Sequence, residues 1–326
     1  MRKLRVLRTG IGSSPSLPVI DGLIDNNCIV YGADADKDSF GFHYDRLKKS
    51  FVIPKAGDTD FVAAVLSICK ENNITVIIPA VDEELIVLSA NNATFKEAGI
   101  TVVVSNFSVI ETFNHKVSSN NSFCLSGLTV PTASLDSSYV VKETGYPLLA
   151  KKVVGRGGDG IYKINTYEEA KYYESTMAII EGLSNYIFQE YIQGDEFTAD
   201  VLCDFDGNFV TGCIRKRIKT ESGICSKAKV VKDKTAEKEI LRLLEDYKFI
   251  GPINVQYIKD KNGVNHYIDL NPRYAGTVAL SIEAGCPMVK SLVDMLNSKY
   301  ILRLGFIHNK VKMYRYWKEL YVKGGK

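Results

Sequence analysis

The chain has no long block of lysine and arginine, no apolar run approaching the roughly 18 residues of a membrane span, and no C-x-x-C spacing. Each absence removes a class of function. Without a basic block, and with a formal charge of only +3 over 326 residues, neither nucleic acid nor an anionic membrane is an expected partner. The basic opening MRKLRVLRTG is not followed by the apolar stretch that a secretion signal needs, so a cytoplasmic protein is expected. The seven cysteines (Cys28, Cys69, Cys124, Cys203, Cys213, Cys225 and Cys286) form an odd set and read as buried free thiols rather than a metal or redox centre. Internal repeats and low-complexity segments are also missing.

What is present is the composition of an ordinary globular protein, 45% hydrophobic and 24% charged, long enough for about two domains. Over residues 1–108 the apolar runs LRVLRTG, CIVYGAD, ITVIIPAV and ITVVVS alternate with the helical patterns DFVAAVLSICKEN and DEELIVLSANNATFKEAG. That alternation predicts an α/β unit with a doubly wound parallel sheet. Gly10-x-Gly12 after the first run hints at a dinucleotide fingerprint, and Asp34 stands where a ribose-binding acid would. Ser14 and Pro15 occupy the place of the third glycine, however, and a tight glycine turn in a Rossmann-like scaffold is the better reading.

The pattern changes near residue 108. Ser108 is a candidate cap for a short helix towards Lys116, and SSNNSFCLSGLTVP leads to a turn at Pro131. YPLLAKKVVGRGGDGIYKI reads as two strands joined by a glycine-rich turn, and Thr166-x-x-Glu169 as a capping box. NYIFQEYIQGDEFTADVLCDFDGNFVTGCIRKRIK reads as consecutive antiparallel strands with a turn at Asp206-Gly207. A helix AEKEILRLLEDYK, a hairpin turning at KNG and two short helices follow. The remainder is therefore α+β, and the basic, aromatic segment from residue 304 on reads as a surface-packing tail.

Several segments carry chemistry. GRGGDG, with Gly155, Gly157, Gly158 and Gly160, could present several backbone N–H groups to one anion, although a plain hairpin turn explains it in isolation. Lys151 and Lys152 end the preceding strand, and alternation sends them to opposite sides. Gln189 and the QEYI backbone can read a purine edge, and Glu196 can accept from ribose hydroxyls. Arg215, Arg217 and Lys219 share one face of a strand and repel one another unless an anion or water lies against them, a solvated edge being the usual explanation for such a run in isolation. In HYIDLNPRY, Asp269, Asn271 and Arg273 should leave the strand on one face and Ile268 and Leu270 on the other. Asp269, Asn271 and the facing Gln256 offer the hard oxygens that magnesium prefers, and Arg273 can reach a phosphate oxygen.

Taken in order, YPLLAK, GRGGDG, FQEYIQGDEFTADV, NVQ and DLNPR resemble the ATP-grasp superfamily, and within it the half-units of the carbamoyl-phosphate synthase large chain and similar stand-alone ligases. The resemblance spans residues 1–303 and implies a Rossmann-like pre-ATP-grasp domain (1–108) before a two-lobed ATP-grasp domain (109–303), with lobes of about 120–188 and 189–303 and a tail from 304 to 326. It implies ATP and magnesium, or manganese, as cofactors. Lys116 and Lys151 match the cations that hold the phosphates, and residues 155–160 the flexible cover. Gln189, Glu190 and Ile192 match the adenine hinge, Glu196 the ribose acid, Gln256, Asp269 and Asn271 the metal ligands, and Arg273 the arginine at the phosphate or intermediate. Arg215 and Arg217 fall where a catalytic cation is often placed, and RTGIGSS would line the acceptor side.

Two departures stand out. Lys152 replaces the usual proline after the strand lysine, and Asp269 replaces the commoner glutamate. With no second half and no glutaminase segment, the expected activity is a carboxylate–amine ligase acting through an acylphosphate on small-molecule substrates, amino acids among them, with a homodimer compatible. Alternatives are an enzyme that phosphorylates carbonate or carbamate, a nucleotide-binding module without turnover and, more remotely, a Rossmann oxidoreductase.

Overall fold

The structure is a computed structural model that describes residues 3–154, 160–180, 186–221, 223–316 and 318–322. The N-terminal domain is a parallel sheet of β1 (Arg5–Thr9), β2 (Ile29–Asp34), β3 (Ser50–Val52), β4 (Val76–Ile78) and β5 (Thr101–Val102), in the spatial order β3-β2-β1-β4-β5. Helices α1 (Ser16–Asp25), α2 (Phe61–Glu71), α3 (Asp82–Ala90) and α4 (Asn92–Glu97) form the crossovers. The strand apolar runs have no solvated face, as a parallel sheet covered by helices requires, and Val6 and Leu7 are both completely buried. Strand β3 escapes a reading of apolar runs because its three residues SFV sit half-exposed at the sheet edge. The single helix expected over DEELIVLSANNATFKEAG breaks at Asn91, which ends α3 and precedes α4.

Gly10 turns the chain from β1 towards α1 at φ +57°, and a Cβ there would lie 2.9 Å from that of Ala80. Only glycine meets both demands. Asp34 closes the same turn: its carboxylate accepts from Gly12 N at 2.8 Å and Asp36 N at 3.0 Å. It is thereby spent on the loop.

A second unit follows, with α5 (Phe107–Asn114), α6 (Lys116–Leu125), β6 (Ala133–Ser134), α7 (Ser137–Thr144), β7 (Leu148–Lys152), β8 (Ile161–Ile164), α8 (Tyr167–Ile180) and β9 (Tyr186–Glu190). Its four strands pair antiparallel in the order β6-β9-β7-β8 around Leu148, Ala150, Ile164 and Phe188. Half of the expected capping box is present, with Glu169 N donating to Thr166 Oγ1 at 3.2 Å, while the Glu169 carboxylate reaches back to Asn165 N at 2.6 Å; the helix runs to Ile180. Two expectations change. Asn106, not Ser108, precedes the first turn of α5. SSNNSFC is helix α6, although serine and asparagine are weak helix formers; burial of Ser119, Ser122 and Phe123, the last against Phe113 with ring centroids 5.8 Å apart, overrides propensity.

The largest sheet has seven strands: β10 (Gly194–Cys203), β11 (Phe209–Glu221), β12 (Ile224–Val230), β13 (Gly251–Asp260), β14 (Asn265–Asn271), β15 (Gly305–Ile307) and β16 (Lys312–Tyr314). Its main order is β14-β13-β10-β11-β12-β16, and β15 pairs with β11. Helix α9 (Lys234–Asp246) buries Ala236, Ile240, Leu243 and Leu244, one stripe at helical spacing, against Val255, Tyr257 and Tyr267 of this sheet; α10 (Val278–Glu283) and α11 (Met288–Leu296) complete the fold. The strands expected to run consecutively from residue 185 are divided between sheets: β9 pairs with β6 and β7, β10 with β11 and β13. The tail is more than surface packing, because β15 and β16 both hydrogen-bond into the large sheet. Among the described residues no helix is long and apolar enough to cross a membrane, and six of the seven free cysteines are buried, Cys124 being exposed.

The centre of this sheet is pinned by one carboxylate. Asp200 on β10 is buried and accepts from Arg215 Nη2 of β11 at 2.7 Å, Asn254 Nδ2 of β13 at 3.0 Å and Ser281 Oγ of α10 at 2.6 Å. Removing it would strand the guanidinium of Arg215, itself 0% exposed. Asp200→Ala is therefore expected to lower unfolding free energy by about 3–5 kcal/mol, measured as a shift in the urea midpoint. An unchanged midpoint would show that the pair is not the centre of the sheet.

Candidate active site

A cavity of about 660 Å³ opens where the three sheets meet. This is the size of a small-molecule site. Ser13, Ser14 and Pro15 border it from the turn before α1; Lys116, Lys151, Lys152 and Ile161 come from the four-stranded unit. Glu196, Thr198, Arg217, Asn254, Gln256, Asp269 and Asn271 border it from the large sheet, followed by Arg273 and, at the far end of the chain, Arg315.

The floor depends on strand register. Gln256 on β13 lies opposite Asp269 on β14, as the hairpin reading predicts. Beyond that pair Tyr257 faces Tyr267, which leaves Ile268 as the extra residue of a β-bulge. Strict alternation put Ile268 on the same face as Leu270; instead Ile268 borders the cavity while Tyr267 and Leu270 both enter the core. Asn271 Nδ2 donates to Asp269 Oδ2 at 2.9 Å, and Gln256 Nε2 to Asn254 Oδ1 at 3.3 Å. Gln256, Asp269 and Asn271 border the cavity together, and the amide oxygens of Gln256 and Asn271 accept from Arg217 Nη1 at 3.4 Å and Arg273 Nη2 at 3.1 Å. Among the described residues no group of three His, Cys, Asp or Glu side chains is gathered for a metal. One carboxylate and two carboxamides fit a hard cation that takes its remaining ligands from phosphate and water, as magnesium commonly does.

A similar bulge edits the cationic strand. Register shifts after Arg217, so that Lys219 pairs with Lys227 and Thr220 with Cys225. Arg217 and Thr220 consequently border the cavity, whereas the expected run of Arg215, Arg217 and Lys219 along one wall is interrupted. Arg217 is cross-strand from Glu196 and ion-pairs with it, and its Nη1 also reaches Gln256 Oε1 at 3.4 Å. Arg215 is not on the wall; its guanidinium is buried between Asp200 and Thr277. Arg273 is clamped by Asp82 at the start of α3, with Nε to Oδ1 and Nη2 to Oδ2 both 2.7 Å, and also touches Asn271 Oδ1 at 3.1 Å. Burial pulls its basicity down, but the Asp82 charge and hydrogen bonds outweigh that and raise it overall.

Lys151 is the most perturbed cation on the wall. Burial lowers it to about 8, with Lys116 acting in the same direction and Asp269 and Glu196 opposing. Its Nζ donates to the buried Gln189 Oε1. Lys152 borders the cavity as well, so alternation does not separate the two: β7 ends at Lys152, whose aliphatic stem folds against Gly160. A Cβ on Gly160 would come within 2.9 Å of that stem, and φ is +68°. Gly155, Gly157 and Gly158 lie outside the described residues.

The structure brings Lys116, Lys151, Glu196, Arg217, Gln256, Asp269, Asn271 and Arg273 to one cavity. It does not bring Gln189, Glu190 or Ile192 to the wall. Gln189 is spent on Lys151, the Glu190 carboxylate accepts from Thr132 N at 3.1 Å, and Ile192 is buried. Asn254, Thr198, Thr220 and Arg315 were not singled out in the sequence. Asn254 had a signal, since it lies two residues before Gln256 and so on the same strand face. Arg315 had none, because only the pairing of β16 with β12 places it.

A Rossmann-like domain, an antiparallel lobe carrying a buried lysine and a second lobe carrying an amide–carboxylate floor meet around this cavity. Residues 183–310 match the family described as "ATP-grasp in the biosynthetic pathway with Ter operon", and residues 34–103 the "PylC-like, N-terminal domain". The chain is homologous to the carbamoyl phosphate synthase large chain: 25% identity over 325 residues to that of Clostridium acetobutylicum covers 91% of this chain and 30% of the relative. The chain therefore spans about three-tenths of that relative's length. The biotin carboxylase domain of Hydrogenobacter thermophilus 2-oxoglutarate carboxylase, solved with MgADP and bicarbonate, superposes with a TM-score of 0.77 at 17% identity, over 95% of this chain and 73% of that one. The L-amino acid ligase from Bacillus licheniformis does so with a TM-score of 0.71 at 14% identity, over 92% and 77% respectively. These likenesses establish the fold.

The depressed basicity of Lys151 has a measurable sign. Its value of about 8 in the folded chain lies below the ordinary 10.5, so the unfolded chain holds more proton between those limits and this group's contribution to stability grows as pH rises through them. A phosphate bound beside Lys151 favours the ammonium, so nucleotide binding should take up a proton above about pH 8 and weaken as pH climbs further. Calorimetric titration of MgADP at about pH 8.5, in buffers of different ionisation enthalpy, should give buffer-dependent heats that Lys151→Met removes. Equal heats in all buffers for the unsubstituted protein would refute the assignment.

Proposed function

We propose that this protein is an ATP-dependent ligase that joins a carboxylate to an amine through an acylphosphate, releasing ADP and phosphate. The observation that carries this reading is the convergence on one cavity of two lysines, Lys116 and Lys151, with an oxygen-ligand floor of Gln256, Asp269 and Asn271. Lys116 and Lys151 neutralise the nucleotide phosphates, with the loop 155–160 as their cover. The main chain of Gln189, Glu190 and Ile192 forms the adenine hinge where β9 leads into β10, their side chains being engaged or buried, and Glu196 takes the ribose hydroxyls once Arg217 releases it. Gln256, Asp269 and Asn271 would hold magnesium, with manganese as a substitute. The metal, when bound, supplies charge neutralisation to phosphate oxygens.

In the first step a carboxylate oxygen of the substrate attacks the γ-phosphorus, the bond to the bridging oxygen breaks, and ADP leaves with that electron pair. Lys151, Arg217 and Arg273 face the negative charge that shifts onto the transferred group. In the second step the amine nitrogen attacks the acyl carbon, phosphate departs with the carbon–oxygen pair, and the nitrogen loses a proton. No side-chain nucleophile is required. Arg215, held away from the wall, acts by positioning: it fixes Asp200, which fixes Asn254, which orients Gln256.

Relationship to the carbamoyl phosphate synthase large chain favours one second reading, phosphorylation of carbonate or carbamate in place of an organic acid. Cytoplasmic residence and a homodimer belong to the main reading, as do amino acids among the substrates. An ADP-release screen over pooled acids and amines, with bicarbonate as a separate arm and mass detection of product, distinguishes these readings from a binding module that never turns over. Asp269→Ala should cut ADP release by about 100-fold or more while the protein remains folded by circular dichroism. Release at the unsubstituted rate from that variant would exclude Asp269 from the metal site.

A further inference from the structure

Arg315 belongs to no part of the nucleotide site. It follows β16, its backbone N donates to Ser226 O at 2.9 Å, and its guanidinium donates to Gly276 O. A Cβ built on Gly276 would lie 3.7 Å from that of Ser14, so the loop that holds Arg315 touches the turn opening α1. Three distant segments, near residues 14, 276 and 315, thus close one end of the cavity.

Among the described residues that border this end there is no carboxylate, and the nearby Asp34 is held by Gly12 N and Asp36 N. Among the described residues no carboxylate pairs with Arg315, and the first turn of α1 contains no acid. The charges that Lys151 feels are Asp269, Lys116 and Glu196; those that Arg315 feels are Cys225 and Arg215. Arg315 is tied to Gly276, next to the turn opening α1, whereas Lys151 stands on β7 against Gln189. Burial, and Arg215 nearby, hold Arg315 below the ordinary arginine value, as expected of a half-buried guanidinium with no anion at hand. Among the described residues, the carboxylates on the cavity wall are otherwise engaged: Glu196 pairs with Arg217, and Asp269 accepts from Asn271.

We propose that Arg315 binds a carboxylate of the substrate other than the one that reacts, so that the ligase acts on a molecule carrying a second, unreacted carboxylate. The inference rests on the ligase reading above and specifies its substrate class. A carboxylate fits better than a phosphate ester: a guanidinium fork matches its two oxygens, and a single cation balances its single charge. Ser13 and Ser14 of the α1 turn border the same cavity as Arg315. Arg315 is accordingly a specificity residue, distant from the transferred phosphoryl group.

The test is ADP release from the full chain over a panel of L-amino acids and aliphatic dicarboxylic acids, each matched with its monoamide, alongside MgADP binding by calorimetry. The unsubstituted protein should respond to at least one acid and far less to its amide. Arg315→Met should raise the KM for that acid by about 10- to 100-fold, leave MgADP affinity unchanged and abolish the preference for acid over amide. Arg315→Lys, which keeps the charge but not the fork, should fall between the two and guards against a variant that merely misfolds. Equal responses to acid and amide, an unchanged KM in Arg315→Met, or MgADP binding with no response to any acid would each overturn the proposal while leaving the nucleotide site intact. Failure to bind MgADP would overturn the ligase reading itself.

Discussion

One buried carboxylate sets the geometry on which the cavity depends. Asp200 sits on β10, in the middle of the large sheet, and holds a guanidinium from β11, an amide from β13 and a hydroxyl from α10. A charge in that position is costly unless every lone pair is used, and here each partner comes from a different element. The consequence is register. With β11, β10 and β13 locked side by side, Glu196 falls opposite Arg217 and Gln256 opposite Asp269. The polar floor is therefore a continuation of a polar core, passed outward through Asn254 to Gln256. Such networks are poor sources of stability but strong sources of uniqueness when fully satisfied, and a wall that must present oxygens in fixed order needs uniqueness more.

The same economy of partners shapes the cations. Arg273 meets a bidentate carboxylate from the N-terminal domain, Arg217 meets Glu196, and Lys151 has a neutral amide oxygen. The arginines are held in place by charge, while the buried lysine is held by a dipole and keeps its charge available for a ligand. Asp82 lies in the first turn of α3, so its clamp on Arg273 also ties the Rossmann-like sheet to the strand that carries the floor. Any shift between these domains is felt directly at Asn271, which shares the guanidinium.

Much of this was legible because it follows from local periodicity. The α/β alternation, the Gly10 turn, the capping box at Thr166 and the hairpin that sets Gln256 opposite Asp269 are all decided within a few residues of chain. Illegible features arise from long-range pairing. Two β-bulges, at Ile268 and after Arg217, reverse strand parity where the cavity needs it, and neither carries a glycine or proline to announce it. The division of β9 and β10 between two sheets looks like a hairpin in sequence. The tail reads as surface because β15 and β16 are only three residues each and gain their apolar neighbours from strands some ninety residues earlier. In the candidate site, Glu196, Gln256 and Asp269 come from compact motifs and border the cavity, Gln189, Glu190 and Ile192 come from one and do not, and Arg315 belongs to none.

The attachment of β16 also fixes a sequence of events in the life of the chain. Domains fold in the order in which they are synthesised, and the strands that supply the phosphate-side lysine Lys151 and the oxygen floor, β7, β13 and β14, all precede residue 312. The end closed by Ser14, Gly276 and Arg315 can form only when β16 has added to the edge of β12. In order of synthesis, the wall at Arg315 is therefore the last part of this cavity to be made.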